Sequence, residues 1–314
     1  RESIMGLLID GKWHDKWYDT DKSGGRFERQ DSLFRNTIGE DSEFKAESGR
    51  YHLYVSLACP WAHRTLIMRE LKSLNSHIGV SVVNPEMLDK GWSFLPHKGS
   101  TGDTLYGHQF MYEIYLRQQA DITTRVTVPV LWDKKTEKIV NNESAEIIRI
   151  LNTSFNDITG NHTDYYPDAL QAEIDEVNQW VYNDINNGVY KAGFATEQQV
   201  YEEAVNALFA ALDKVEARLE KQPFLVGGTL TEADIRLFTT LVRFDAVYHG
   251  HFKCNRKQIS DYPAMFNYMK RIYRMPGVAD TTNMEHIKRH YYYSHTMINP
   301  TQVVPVGPDL SLWK

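Results

Sequence analysis

The stretch Tyr51-His52-Leu53-Tyr54-Val55-Ser56-Leu57-Ala58-Cys59-Pro60-Trp61-Ala62-His63-Arg64-Thr65-Leu66-Ile67 decides how this chain is read. Its first seven residues are rich in aromatic and aliphatic side chains, the composition of a buried strand. Ala58-Cys59-Pro60 then turns the chain, and Pro60 suits the first turn of a helix, where an amide N–H has no partner within the helix. Ile67, Leu71 and Leu74 follow at i, i+4 and i+7, so strand passes into helix and Cys59 stands at the helix N-terminus. Residues 78–83 (IGVSVV) read as a second strand, and a βαβ unit of this kind is expected to pair in parallel through a right-handed crossover.

Downstream, residues 84–124 read as a polar, glycine-containing insertion with one short helix around Tyr112–Gln118. Residues 127–132 (TVPVLW) are expected to form a strand with Pro129 inside it, and Lys138-Ile139-Val140 its hairpin partner. A proline within a strand marks an edge, unless Val128-Pro129 is cis and the chain turns there. Asn141-Asn142-Glu143-Ser144 leads into a helix with Ile147, Ile148 and Leu151 on one face. Upstream, residues 1–48 show no sustained period of 2 or 3.6 and read as an extended arm. Past residue 165 the strand signals stop, and residues 168–187, 196–221, 232–248 and 262–275 carry helical periodicity between Gly- and Pro-marked breaks. Thr231-Glu232-Ala233-Asp234 resembles a capping box, with Leu230 and Ile235 as its hydrophobic staple. The segment from His286 onward reads as irregular. The predicted organisation is therefore an arm (1–48), an α/β domain (49–155, with the insertion 84–124), an all-helical domain (165–285) and a tail (286–314).

Composition narrows the chemistry. A chain of 314 residues is expected to form about two domains, and a net charge of −6 argues against nucleic acid as a partner, because phosphate binding calls for a basic face. No apolar run approaches the roughly 20 residues that span a bilayer, and RESIMGLLIDGKWHDK lacks the basic-then-apolar pattern of a secretory signal. Two cysteines, Cys59 and Cys254, cannot build a disulfide framework or a four-cysteine zinc site, which points to a reducing compartment. Gly-x-Gly-x-x-Gly, P-loop, His-Glu-x-x-His and Gly-x-Ser-x-Gly motifs are all missing from the sequence, so nucleotide, zinc or serine-hydrolase chemistry has no motif behind it. His286, His290 and His295 read as surface or hydrogen-bonded histidines rather than metal ligands.

Cys59 carries the chemistry instead. Thiols at helix N-termini can have pKa values lowered to roughly 3.5–7.5, and the thiolate is the nucleophile. The competing reading, a small buried hydrophobe, suits Cys254 better, since Cys254 has no helix start beside it. Trp61 and Ala62 stand where a Cys-x-x-Cys motif would place its second cysteine, so a monothiol must borrow its second sulfur, and glutathione is the abundant cytosolic source. A cis Val128-Pro129 bond would leave the Val128 main chain open to an extended peptide ligand. Glu143-Ser144 at a helix start offers a charge partner for an ammonium group and hydrogen-bond donors for a carboxylate, the two ends of an α-amino acid, although N-capping alone also explains Ser144.

A Cys-Pro helix start inside βαβ, Val-Pro before the next strand, an acidic-Ser pair opening a helix and an all-helical domain with a Thr-x-x-Asp box resemble the glutathione transferases. The blocks SLACPWAHRTLI, RVTVPVLWD, IVNNESAEIIRIL, INNGVYKAGFA, LTEADIRLFTTLVRFDAVYHGHFKCN and HYYYSHTMINP resemble more narrowly the glutathionyl-hydroquinone reductases, also called Xi-class glutathione transferases. The resemblance runs from about residue 10 to the C-terminus. It implies a thioredoxin-like N-terminal domain, an all-α C-terminal domain, glutathione as co-substrate without metal or nucleotide, and a cytoplasmic homodimer meeting near residues 196–206. By this resemblance Cys59 is the nucleophile, and Trp92, Arg125, Val126, Thr127, Val128, Pro129, Glu143 and Ser144 line the glutathione site. Tyr190 donates a proton, and Tyr248 and Tyr291 face the sulfur, with Tyr292 the neighbour that could stand in for Tyr291. An omega-like thioltransferase or dehydroascorbate reductase would share Cys59 but lack the three tyrosines, and a non-enzymatic binder of aromatic compounds would have an ordinary thiol.

Overall fold

The computed structural model describes residues 6–16 and 23–314; the parts of the predicted arm at 1–5 and 17–22 lie outside the described residues. The arm begins with β1 (Leu7–Ile9) and β2 (Lys12–His14), an antiparallel hairpin where no strand was expected. Its turn is Asp10-Gly11, with φ of 49° and 77°. Positive φ at both central residues matches the right-handed strand twist, and Asp-Gly is a favoured pair for it. Each strand has only three residues, too few for period 2 to stand out from the sequence. The central strand β3 (Tyr51–Val55) is buried along its whole length, and α1 (Pro60–Leu71) follows it at once. β4 (Gly79–Val82) then pairs in parallel with β3, completing the expected βαβ unit.

Across the insertion, α2 spans Tyr112–Gln118, and β5 (Thr124–Arg125) joins β1 to make the three-stranded sheet β2-β1-β5. β6 (Val130–Asp133) and β7 (Lys138–Asn141) complete a four-stranded sheet in the order β4-β3-β6-β7. β6 is an interior strand, with antiparallel neighbours β3 and β7. The predicted strand over 127–132 thus starts three residues late, after a cis Val128-Pro129 bond. Proline has no N–H for a ladder flanked on both sides, so it stands just before the strand instead of inside it. α3 (Ser144–Thr153) packs on α1, and α4 (Asn156–Thr159) ends the run at Gly160.

The chain forms two compact units. Asp31–Thr163 and Asp280–Val304, with the described arm residues up to 16, make the first; described residues 23–30, Asp164–Ala279 and Pro305–Lys314 make the second. In the second unit α5 (Gln171–Val181), α6 (Gly188–Gly193), α7 (Gln198–Leu219), α8 (Glu232–Arg243) and α9 (Pro263–Tyr273) form a helical bundle. α8 is buried on every face and so serves as its axis. Two π-helical turns, Tyr182–Asn186 and Phe244–Tyr248, extend α5 and α8. In the first unit α10 (Met284–Ser294) replaces the irregular tail expected from His286. Asn283 caps it by accepting the His286 N–H, and Ile287, Tyr291 and Ser294 turn one face inward, a stripe that the many polar residues around it conceal in the sequence.

The start of α8 is held by Asp234, which accepts hydrogen bonds from Thr231 N at 2.9 Å, Leu225 N at 2.9 Å and the Tyr268 hydroxyl at 2.6 Å. Burial pushes this carboxyl up to about 6, with the three donors pulling the other way. Asp234→Ala strands three donors in the bundle, two of them backbone N–H groups, at about 1–3 kcal/mol each. Urea unfolding should accordingly lose at least about 3 kcal/mol in that variant; a midpoint unchanged from wild type would show that the Asp234 hydrogen bonds do not hold α8.

Candidate active site

Cys59 is the N-cap residue of α1, with Pro60 the first helical residue. Its carbonyl accepts the His63 N–H at 3.0 Å, and Ser56 Oγ accepts the Ala58 N–H at 3.1 Å, which shapes the turn before it. The N–H groups that point out of a helix start and the aligned peptide dipoles favour an anion at this end of the helix. The sulfur lies 3.6 Å from the Val128 carbonyl oxygen, and only 8% of the residue is exposed. Cys254 has no helix start beside it. It is fully buried in the second unit, its sulfur faces the Phe252 carbonyl at 3.8 Å, and burial pushes its thiol far up.

The loop before β6 is fixed by a residue that sequence reading missed. The Tyr115 hydroxyl, on α2, donates to the Thr127 carbonyl at 2.8 Å and accepts from the Thr127 N–H at 3.2 Å and from Asn142 Nδ2 at 3.3 Å. Burial raises its pKa, so the phenol stays protonated and able to donate. Val126 and Val128 are buried on either side of Thr127, while Arg125 lies in β5 opposite Leu7, its guanidinium donating to the Lys16 carbonyl.

At the start of α3 the N-cap is Glu143 rather than Ser144. Glu143 accepts the Ala145 N–H at 3.2 Å through one carboxylate oxygen and the Ser32 hydroxyl at 3.2 Å through the other. Ser144 is the first helical residue, and its buried hydroxyl accepts from Arg64 Nη1 at 3.3 Å. Arg64, five residues beyond Cys59 and 1% exposed, lies with its guanidinium 4.7 Å from the centre of the Trp61 ring. It thereby couples α1 to the start of α3. The signal that could have revealed it is an arginine whose neighbours one helical turn away, Pro60, Trp61, Ile67 and Met68, are all apolar.

Trp92 is buried and stacks on His290 at 4.7 Å, and His290 Nδ1 lies 3.0 Å from the Pro85 carbonyl. Tyr291 is buried edge-on between His290 and His295, at 5.1 and 5.4 Å, whereas Tyr292 and Tyr293 are half-exposed. Two further bonds tie α10 to the segment after β4: Met87 N to Ser294 Oγ at 2.9 Å, and Arg289 to Glu86 at 2.6 Å. Trp92 and Tyr291, about 200 residues apart, are thus both brought against the His290 ring.

In the second unit Tyr190 sits on α6, just after one π-helical turn, and Tyr248 ends the other. Their rings are 6.0 Å apart within a cluster completed by Phe27, Phe194 and Phe252. Tyr248 is fully buried and stacked on Phe252 at 5.4 Å, while Tyr190 is half-exposed. Arg29, another residue that sequence reading missed, sits 5.1 Å from the Tyr190 ring centre and donates to Asn187 Oδ1 at 3.0 Å. Arg29 lies in the unpatterned arm, so no periodicity could assign it.

A βαβ-containing sheet with a single thiol at its first helix start, followed by a helical bundle, defines a glutathione transferase. The N-terminal domain family of glutathione S-transferases matches residues 58–154, and the C-terminal domain family matches residues 198–271. Glutathionyl-hydroquinone reductase YqjG of Escherichia coli (strain K12) is 56% identical over 97% of this chain and 95% of its own length. Its glutathione-bound structure superposes with a TM-score of 0.91, at 52% identity over 98% of this chain and 97% of the other. Glutathionyl-hydroquinone reductase PcpF of Sphingobium chlorophenolicum is 54% identical over 97% and 96% of the two chains. The Xi glutathione transferase of Phanerochaete chrysosporium has a TM-score of 0.89, at 53% identity over 91% and 94%. The chain belongs to the glutathionyl-hydroquinone reductases, the Xi class of glutathione transferases.

The contrast between the two thiols is directly measurable. Native protein should take up one equivalent of iodoacetamide, at Cys59, with half-maximal rate at a pH below the roughly 8.5 of an ordinary cysteine. Cys254 should react only after unfolding. Intact-mass spectrometry across a pH series reads both outcomes, and a normal titration of Cys59 would deny the helix start any influence on it.

Proposed function

We propose that this chain reduces S-glutathionyl-hydroquinones to hydroquinones at the expense of glutathione. The observation that carries the reading is the single thiol at the α1 N-terminus, facing the Val128 carbonyl across 3.6 Å. The Cys59 thiolate attacks the thioether sulfur of the substrate, forming a Cys59–glutathione disulfide as the aryl carbon–sulfur bond breaks. The electron pair of that bond leaves with the aromatic carbon, which takes up a proton to become the hydroquinone. A second glutathione thiolate then attacks the mixed disulfide, releasing oxidised glutathione and restoring Cys59. The two glutathione sulfurs, one from the thioether and one from the free thiol, together supply the two electrons that reduce the aryl carbon, so neither a metal nor a nucleotide is required.

Trp92, the Arg125-Val126-Thr127-Val128-Pro129 segment and Glu143-Ser144 are the proposed glutathione contacts. Support comes from the direct bond between Cys59 and this segment and from the α3 start beside Arg64. Tyr190 is the proposed proton donor, and its half-exposed phenol within an otherwise buried aromatic cluster supports that role. Tyr248 and Tyr291 are proposed to face the sulfur, since a phenol stabilises a thiolate by hydrogen bonding without adding charge. The proposed setting is a cytoplasmic homodimer meeting near residues 196–206; a reducing compartment accords with two cysteines that form no disulfide.

Two variants test the mechanism. Cys59→Ser should abolish hydroquinone release from S-glutathionyl-menadione plus glutathione while leaving glutathione affinity, measured by calorimetry, largely intact; turnover by that variant would rule out the mixed disulfide. Tyr190→Phe should lower kcat by about 10²- to 10⁴-fold, the usual weight of a general acid, with little change in glutathione binding. Equal losses in kcat and affinity would instead make Tyr190 a positioning residue.

A further inference from the structure

Away from every residue assigned above, His97, Glu285 and His286 converge in the first unit. His97 Nε2 lies 3.1 and 3.2 Å from the two carboxylate oxygens of Glu285, and His286 Nε2 lies 4.0 Å from Glu285 Oε2. One donor atom from each of the three residues falls within 4.8 Å of the other two. The Lys98 carbonyl oxygen joins them, 2.6 Å from His286 Nε2. Donor atoms of two imidazoles and a carboxylate therefore lie close together, and the Lys98 carbonyl holds one of the imidazoles.

The spacing fits a particular class of ion. Bonds of about 2.0–2.1 Å at tetrahedral angles put neighbouring donors about 3.3 Å apart, and the separations to Glu285 bracket that value at 3.1 and 4.0 Å. An ordinary His–Glu ion pair accounts for His97 and Glu285, and a hydrogen bond to the Lys98 carbonyl at 2.6 Å accounts for His286 Nε2, which leaves the other ring nitrogen of His286 to explain. The His286 side chain is fully buried, and its Nδ1 has no hydrogen-bond partner among the described residues. With nothing bonded at Nδ1, the ring proton can move there and leave the Nε2 lone pair to an ion, which then replaces the hydrogen bond to the Lys98 carbonyl. The backbone is shaped for the same approach: Gly99 has a φ of +83°, and a Cβ at that position would stand 2.9 Å from His286 Nε2. Only glycine lets the turn 97–99 lie this close to the imidazole.

We propose that His97, Glu285 and His286 form a binding site for a divalent transition ion of the zinc class, with the fourth position left to water. Imidazole and carboxylate donors at these distances suit such an ion better than calcium or magnesium, which take six or more oxygen donors or retain several waters. Occupancy would clasp the 97–99 turn of the insertion to the first turn of α10, the helix that carries His290 and Tyr291.

The test uses the full chain, stripped with a chelator and titrated with Co²⁺ by absorption and with Zn²⁺ by calorimetry. His97 and Glu285 are partly exposed, so His97→Ala and Glu285→Gln should fold, which circular dichroism can establish. The expected result is one equivalent of ion, a tetrahedral d–d band without thiolate charge transfer, and a higher Tm with Zn²⁺. Each variant should weaken binding by at least about tenfold and lose the Zn²⁺-dependent rise in Tm. The proposal is overturned by an absence of saturable binding up to millimolar ion, by binding that both variants leave unchanged, or by a charge-transfer band that disappears in Cys59→Ser.

Discussion

The approach of the Cys59 sulfur to the Val128 carbonyl depends on the register between β3 and β6. Tyr54 pairs with Val130, so the residues just before Val130 run alongside the turn that follows β3. That turn holds Cys59, and the Val128 carbonyl meets its sulfur. A slip of one residue would send each β6 side chain to the opposite face of the sheet and move that carbonyl away from the thiol. Pairing in an interior strand therefore sets which carbonyl the Cys59 thiol faces.

Groups distant in the chain hold this arrangement in place. Tyr115 grips Thr127 at both its N–H and its carbonyl, Arg64 ties α1 to Ser144, and Asn142 closes the network onto the same phenol. These groups are buried, and in a low-dielectric interior a polar group left without its partner costs more than the bond itself contributes. The network accordingly has few alternative arrangements. Glu143 joins it as a helix cap, which orients the carboxylate before any ligand arrives.

The second unit organises its tyrosines by aromatic packing. Tyr248 is immobilised against Phe252, whereas Tyr190 shares the cluster yet keeps part of its surface in solvent. Both sit beside π-helical turns, where one extra residue per turn changes the direction of the following side chains. Arg29, which also bonds to Asn187, brings a permanent positive charge to the Tyr190 ring. Two tyrosines on neighbouring helical segments thus meet different surroundings.

Much of this was legible in the residues. The βαβ unit, the helix start at Cys59, the short helix at Tyr112–Gln118 and the helical second half follow from periodicity and from Pro and Gly punctuation, which are local properties of the chain. The hairpin at Asp10-Gly11 carried a turn signal, but its strands were too short to reinforce it. Helix α10 was obscured because the apolar stripe through Ile287 and Tyr291 is thin beside its histidines and charges. Among local features, only the choice of Glu143 over Ser144 as cap depended on something distant, the Ser32 hydroxyl that shares its carboxylate. The sequence by itself determined the order of the elements and the position of the reactive thiol, because backbone propensity and capping act over a few residues. Tertiary structure alone decided that Val128 meets Cys59, that Tyr115 and Arg64 support them, and that His97 reaches His286, because these pairings join segments 12 to about 190 residues apart and no local rule selects them.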